Sequence, residues 1–213
     1  MTFINNNQIA QTKESQSAIS PKMAIELLEE GNKRFVDKRP LERDFNKQQS
    51  ETGNGQFPFA AVVGCIDSRV PAEIVFDQGI GDIFNVRIAG NFVNTDILGS
   101  LEFACKLAGS KAIVVLGHTS GGAVKGACDK AELGNLTSML GNIKPAVDAI
   151  TKEMGENTSA NAEFVQKVAE KNVALTVENI MEKSQVLREM KENNEIAIVG
   201  AMYDVSTGRV DFL

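Results

Sequence analysis

The sequence is poor in the residues that usually carry metal and redox chemistry. Its 213 residues include one histidine and three cysteines. Cys65, Cys105 and Cys128 are too few and too scattered for a disulfide framework, which points to reduced thiols and a cytoplasmic address. There is no run of roughly 18 apolar residues that would cross a membrane, and the amino terminus has neither a basic stretch nor an apolar stretch of the kind that directs secretion. Lys and Arg form no basic stripe and the net charge is -6, which argues against a nucleic-acid partner. With one histidine, a conventional Ser-His-Asp triad is excluded: Ser120 lies in no G-x-S-x-G turn, because the residue two before it is the histidine itself. A Walker loop is missing, since Ala123 follows Gly122 where lysine is needed, and the glycines at 121, 122 and 126 do not make a dinucleotide fingerprint.

A hydrophobic content of 43% is enough to bury a substantial core, and the chain reads as one domain over residues 20–213 preceded by a polar, flexible arm over residues 1–19. That arm is expected to order only against a partner subunit. Ser20 and Pro21 cap a helix whose apolar residues Ala24, Leu27, Leu28 and Phe35 share a face. Residues 40–58 read as a loop. Four short runs rich in valine and isoleucine, at 59–67, 82–90, 111–117 and 195–204, read as buried strands. A helix over Thr95–Leu107 lies between the second and third, and a long amphipathic stretch over Glu163–Lys191 precedes the fourth. The closing segment reads as a hairpin turning at Thr207 and Gly208. Strand and helix in alternation predict an α/β fold: a mostly parallel sheet covered by helices, with an N-terminal helical arm and an antiparallel edge strand at the end.

Ligands of such sheets sit at strand ends, and two strand ends carry chemistry. "GCIDSRVP", residues 64–71, places Cys65, Asp67 and Arg69 at alternate positions, hence on one face of an extended segment. "VVLGHTSGG", residues 114–122, places His118 at the next strand end. A thiolate and an imidazole from neighbouring strands suit zinc, though two ligands alone do not make a site. The plainer readings are a buried core cysteine at 65, a structural histidine, and an ordinary Asp67–Arg69 ion pair. Cys105 and Cys128, within helices, read as core residues.

At these residues the sequence resembles the β-class carbonic anhydrases, whose signatures are Cys-x-Asp-Ser-Arg and His-x-x-Cys. "CIDSR" at 65–69 matches the first throughout. "EEGNKRF" at 29–35, "VRIAGN" at 86–91, "GAVKGACD" at 122–129 and "GAMYDVSTGRVDFL" at 200–213 are similar to family segments, so the likeness runs from about residue 22 to the end. It implies zinc as cofactor, held by Cys65, His118 and a second cysteine at 121. It also implies carbon dioxide and bicarbonate as substrate and product, and a homodimer or a higher oligomer built from dimers. The implied reaction is hydration: zinc lowers the pKa of its water, hydroxide attacks carbon dioxide, and Asp67, oriented by Arg69, accepts a hydrogen bond from the hydroxide. Gln56 is implied to contact substrate, and Phe84 to line an apolar pocket across the dimer interface. Arg87 is either structural or part of a bicarbonate site.

Position 121, however, is Gly121. A structural zinc site is worth about 10–16 kcal/mol over four ligands, so losing one costs roughly 3 kcal/mol, or about a hundredfold in affinity. Cys128 is a poor substitute, because seven residues of helix rise about 10 Å against a zinc–sulfur bond near 2.3 Å. Asp67 is the better replacement ligand. Three readings follow: an impaired anhydrase using Cys65, His118 and Asp67 or water; a zinc-free, inactive relative acting as an anion-binding or assembly protein; or a family member in which the second cysteine was replaced, by natural variation or design.

Overall fold

The structure, a computed structural model, describes residues 10–213. The valine- and isoleucine-rich runs become β1 (Ala60–Gly64), β2 (Ile83–Arg87), β3 (Ala112–His118) and β4 (Ala197–Tyr203), followed by the short β5 (Val210–Phe212). The sheet order is β2-β1-β3-β4-β5. The first four strands are parallel, and β5 is antiparallel to β4. The closing hairpin turns through Gly208, whose φ of 81° is a left-handed conformation that glycine adopts without strain. β1 and β3 are buried at every residue, which is why they read as continuous apolar runs and not as alternating ones.

Two cores result. Ala61, Val63, Ile113 and Val115 face one layer of helices, and Ala60, Val62, Val114 and Leu116 face the other. Each fully buried valine or leucine side chain contributes about 1.5–3 kcal/mol of transfer free energy, and because side chains alternate faces, a one-residue slip would exchange the two cores.

The helices are α1 (Lys13–Ser17), α2 (Pro21–Val36), α3 (Phe45–Thr52), α4 (Ala72–Val75), α5 (Thr95–Glu102), α6 (Gly122–Cys128), α7 (Gly134–Leu140), α8 (Lys144–Met154), α9 (Ala162–Lys183) and α10 (Gln185–Glu192). α2 starts as its capping residues predict, with Ser20 accepting from the Met23 amide at 3.2 Å. α5 runs on through a single π-helical turn at Phe103–Leu107, so the helix expected to Leu107 reaches it in a widened last turn. The amphipathic stretch breaks at Ser184, whose extended backbone ends α9. Its hydroxyl accepts from the Leu187 amide at 3.2 Å to start α10, and it donates to Glu102 at 2.6 Å.

Two expectations need correction. The segment read as a loop over residues 40–58 contains α3, capped by Asp44 accepting from Lys47 N at 2.9 Å. Only Gln48 of that helix is buried, so it carries no apolar stripe to announce it. The arm read as flexible is ordered over residues 10–19. Thr12 and Ser15 form a capping box, Ile19 is buried, and the Gln16 amide donates to the carbonyls of Pro58 at 2.7 Å and Ala108 at 2.8 Å. A buried polar side chain, not apolar periodicity, ties this segment down. The rest of the arm lies outside the described residues.

Candidate active site

β1 and β3 are neighbours in parallel register, Val63 opposite Val115, so both deliver their C-terminal ends to one edge of the sheet. Cys65 is the first residue past β1 and His118 is the last of β3. Each is 4% exposed. The structure therefore brings together the two groups that the strand ends suggested.

His118 is oriented by its own loop. Nδ1 lies 2.9 Å from the Thr119 carbonyl oxygen, which can only accept, so the proton sits on Nδ1 and the lone pair of the neutral ring is at Nε2. Nε2 lies 3.9 Å from Asp67 Oδ2, and the ring is in hydrogen-bonding reach of the Cys65 side chain. Burial lowers the His118 pKa, but hydrogen bonding to Cys65 and the charges of Cys65 and Asp67 outweigh it, and the net direction is up. For Cys65 burial pushes up, while hydrogen bonding with His118 and hydrogen bonds from the Gly90 and Asp67 amides pull harder, and the thiol ends below its ordinary value. The Gly90 amide is 3.5 Å from Sγ.

Asp67 and Arg69 form a two-point pair, Nε to Oδ1 at 2.9 Å and Nη2 to Oδ2 at 2.7 Å, with the Arg69 amide also donating to Oδ1 at 3.0 Å. The Arg69 hydrogen bonds hold the Asp67 carboxyl well below the usual carboxylate range, against the upward push of burial. Arg69 reaches on to the Ser120 carbonyl at 3.3 Å and so ties the β1 loop to the β3 loop. Arg87 donates from Nε to the Cys65 carbonyl at 2.8 Å and from Nη2 to the Asp67 carbonyl at 2.5 Å. Its guanidinium thus braces the backbone of the β1 loop.

Gly121 precedes α6 with φ -70° and ψ 126°, a conformation open to any residue. A Cβ built there would stand 3.2 Å from His118 Cε1 and 3.3 Å from Nε2. A side chain at 121 therefore points at the lone-pair nitrogen of the histidine, and glycine leaves that direction without a donor. Gln56 is exposed on the segment before β1, and none of the described hydrogen bonds around Cys65, Asp67 and His118 involves it. Phe84 sits on β2, with its ring 6.1 Å from that of Phe103 and nearly perpendicular to it, in an open cavity of about 560 Å³ shared with Asn85, Val86 and Leu101.

Zinc takes four ligands in a tetrahedron. Among the described residues no group of three or more His, Cys, Asp or Glu side chains is arranged to hold a metal ion. Both Asp67 oxygens are engaged by Arg69, and Cys128 is buried on α6 with its thiol pushed up to about 11, first by burial and then by the Asp129 charge. The residues present do not make up a protein zinc centre. Three backbone groups that shape the site went unread in the sequence, namely the Thr119 carbonyl, the Gly90 amide and the Ser120 carbonyl. Their only sequence signal is the small and turn-forming residues around them; Ser120 itself has φ 57°.

Comparison with known proteins identifies the family. The family model described as carbonic anhydrase matches residues 60–210. Carbonic anhydrase 2 of Mycobacterium tuberculosis is 36% identical over 191 residues, covering 89% of this chain and 91% of that one. The crystal structure of the β-carbonic anhydrase CafA of Aspergillus fumigatus superposes with a TM-score of 0.70 at 29% identity, over 79% of this chain and 81% of that one. Tetrameric β-carbonic anhydrases of Sordaria macrospora give a TM-score of 0.68 at 28% identity, over 75% and 82%. A chain whose sheet order, strand-end cysteine and histidine, and Asp–Arg pair coincide with this much shared sequence belongs to the carbonic anhydrase family, in its β class.

Proposed function

We propose that this chain is a carbonic anhydrase in which zinc binding, and with it the reversible hydration of carbon dioxide to bicarbonate, is impaired to low or absent turnover. The observation that carries this reading is the direction of position 121: it faces His118 Nε2 at 3.3 Å from a would-be Cβ, and it holds a glycine. The rest of the site argues for descent from a working centre. Cys65 and His118 meet at one point, and Asp67 stays anionic and fixed by Arg69, ready to accept a hydrogen bond from a water near Nε2. When bound, zinc would supply an acidified water. The residues of this chain would supply the thiolate, the imidazole and the acceptor, and Asp67 would have to leave Arg69 to serve as a replacement ligand.

The alternative, a zinc-free relative acting in assembly or anion binding, is favoured by one observation, the lack of a three-donor group among the described residues. Its anion-binding version draws little support, because Arg69 and Arg87 are both engaged by oxygens of the chain itself. For assembly, among the described residues the outer edge of β2 has no strand beside it, and Phe103 and Leu107 next to it are 50% and 77% exposed. This supports a homodimer or dimer-based oligomer formed over the Phe84 cavity, in line with the tetrameric relatives. A cytoplasmic location is proposed on the free cysteines; among the described residues no helix is long and apolar enough to cross a membrane.

Metal analysis of protein purified without chelator tests the reading. Well under one zinc per chain, with hydration activity low and raised by millimolar zinc, is the expected result; about one zinc per chain with full activity overturns it. No zinc even after the millimolar soak selects the zinc-free alternative. Gly121→Cys is expected to restore both zinc and activity, and failure to do so would mean that the rest of the site has drifted as well.

A further inference from the structure

We propose that the Cys65–His118 pair is a two-donor site for a soft monovalent cation, Cu(I) or its analogue Ag(I). The proposal rests on the reading that position 121 supplies no donor, and it goes beyond that reading by asking what two donors suffice for. Closed-shell monovalent ions of this class are satisfied by two ligands in line and favour thiolate and imidazole, whereas Zn(II) takes four. The pair offers one of each. The Nδ1 proton of His118 is spent on the Thr119 carbonyl at 2.9 Å, so the lone pair is left on Nε2 of a ring that neighbours the Cys65 side chain. The Gly90 amide, 3.5 Å from Sγ, supports a charged sulfur from the other side.

The carboxylate that would favour a harder, divalent ion is tied up by Arg69 through both oxygens, and the Asp67–Arg69 pair is neutral as a unit. Charge counting points the same way. The metal–sulfur bond forms as the thiol proton leaves to solvent, so one positive charge replaces another. A divalent ion at the same place would add a positive charge to a pocket whose side chains are 4% exposed and have no free anion to offset it. Cys105 and Cys128 have no histidine beside them, since the only one in the chain is at 118.

The test is an anaerobic titration of the metal-free full-length chain with Cu(I) against a chromophoric Cu(I) chelator, with X-ray absorption on the loaded wild type. One Cu(I) per chain is expected, with one sulfur and one nitrogen at the metal. C65S and H118N should each weaken binding by about tenfold or more, while C105S and C128S leave it unchanged. G121C should shift the preference toward Zn(II) by about a hundredfold. The proposal is overturned by loss of binding in C105S or C128S, by an unaffected H118N, or by a spectrum with two sulfurs. The wild-type spectrum decides the matter even where a variant fails to fold. Stoichiometric zinc in the untreated wild type overturns both the reading of position 121 and this proposal, whereas absence of both metals overturns the proposal alone.

Discussion

Cys65 and Cys105 are equally buried, at 4% and 2% exposed, yet their thiols are driven in opposite directions. Cys105 lies in the π-helical turn among apolar neighbours, and burial pushes its pKa up to about 12. Cys65 pays the same kind of desolvation penalty but meets an imidazole and two backbone amides at the strand end, and it finishes below its ordinary value. Burial makes a cysteine inert only where nothing polar compensates. A parallel strand end, with its loop amides and the neighbouring strand's terminal side chain, is where that compensation is available.

The largest effect expected is at position 121. Gly121→Cys should tighten zinc binding by about a hundredfold, corresponding to roughly 3 kcal/mol, read by competition with a zinc-specific dye. Because the new Cβ arrives 3.2–3.3 Å from the imidazole, the ring has to shift by a few tenths of an ångström. An unchanged affinity would show that the Cys65 surroundings alone do not make a ligand-ready site.

The next contrast is in stability. Cys105→Ser places a hydroxyl in apolar surroundings and should cost about 1–3 kcal/mol in urea unfolding, whereas Cys65→Ser finds hydrogen-bond partners in place and should cost less. Equal losses would break the distinction drawn between the two cysteines.

Thiol reactivity gives a sharper but smaller signal. A lowered thiol pKa keeps a larger thiolate fraction at neutral pH. Peptide mass spectrometry after mild alkylation of the native chain should therefore find Cys65 labelled first, and Cys105 and Cys128, raised to about 12 and 11, only on unfolding. Labelling of all three at one rate would contradict it.

The smallest effect concerns the neighbouring carboxylate. The Asp67 pKa is depressed in the fold, so its contribution to stability is fully present above the ordinary value of 3.8 and drains away as pH falls further toward the folded value. Arg69→Ala should narrow that window. The difference in stability between wild type and variant should shrink on acidification below pH 3.8 and stay flat above it. A gap that instead widens in acid would mean Asp67 is held by something other than Arg69.

Much of this was legible in advance. Buried parallel strands announce themselves as unbroken runs such as Ala112–Leu116, because both faces are covered and no polar residue is tolerated. "CIDSR" and His118 at two strand ends suggested a shared site beside plainer readings, and the parallel register sets those two strand ends side by side. What escaped were features held by polar contacts: α3 with only Gln48 buried, the Gln16 anchor of the amino-terminal segment, and the break at Ser184, where a hydroxyl bonded to Glu102 ends one helix and starts another. Such contacts have no periodicity, and their partners lie far off in the chain, 42 residues away for Gln16 and Pro58 and 82 for Ser184 and Glu102. Gln56 and Phe84 show the same limit from the other side. They entered through resemblance alone, and no described hydrogen bond or ring contact ties either one to the Cys65–His118 pair.

By itself the sequence determined the kinds of donor available to this protein: one imidazole, one strand-end thiol, and a glycine where a third ligand was expected. The first two follow from residue identity and from the order of apolar runs, and the third is what the family resemblance implies. Only the tertiary structure decided what they amount to. It turned the absent side chain of Gly121 toward His118 Nε2, closed Arg69 over both oxygens of Asp67, and set the polarity around Cys65 apart from that around Cys105. Direction and mutual distance arise from strands packed side by side, and no local pattern along the chain encodes them.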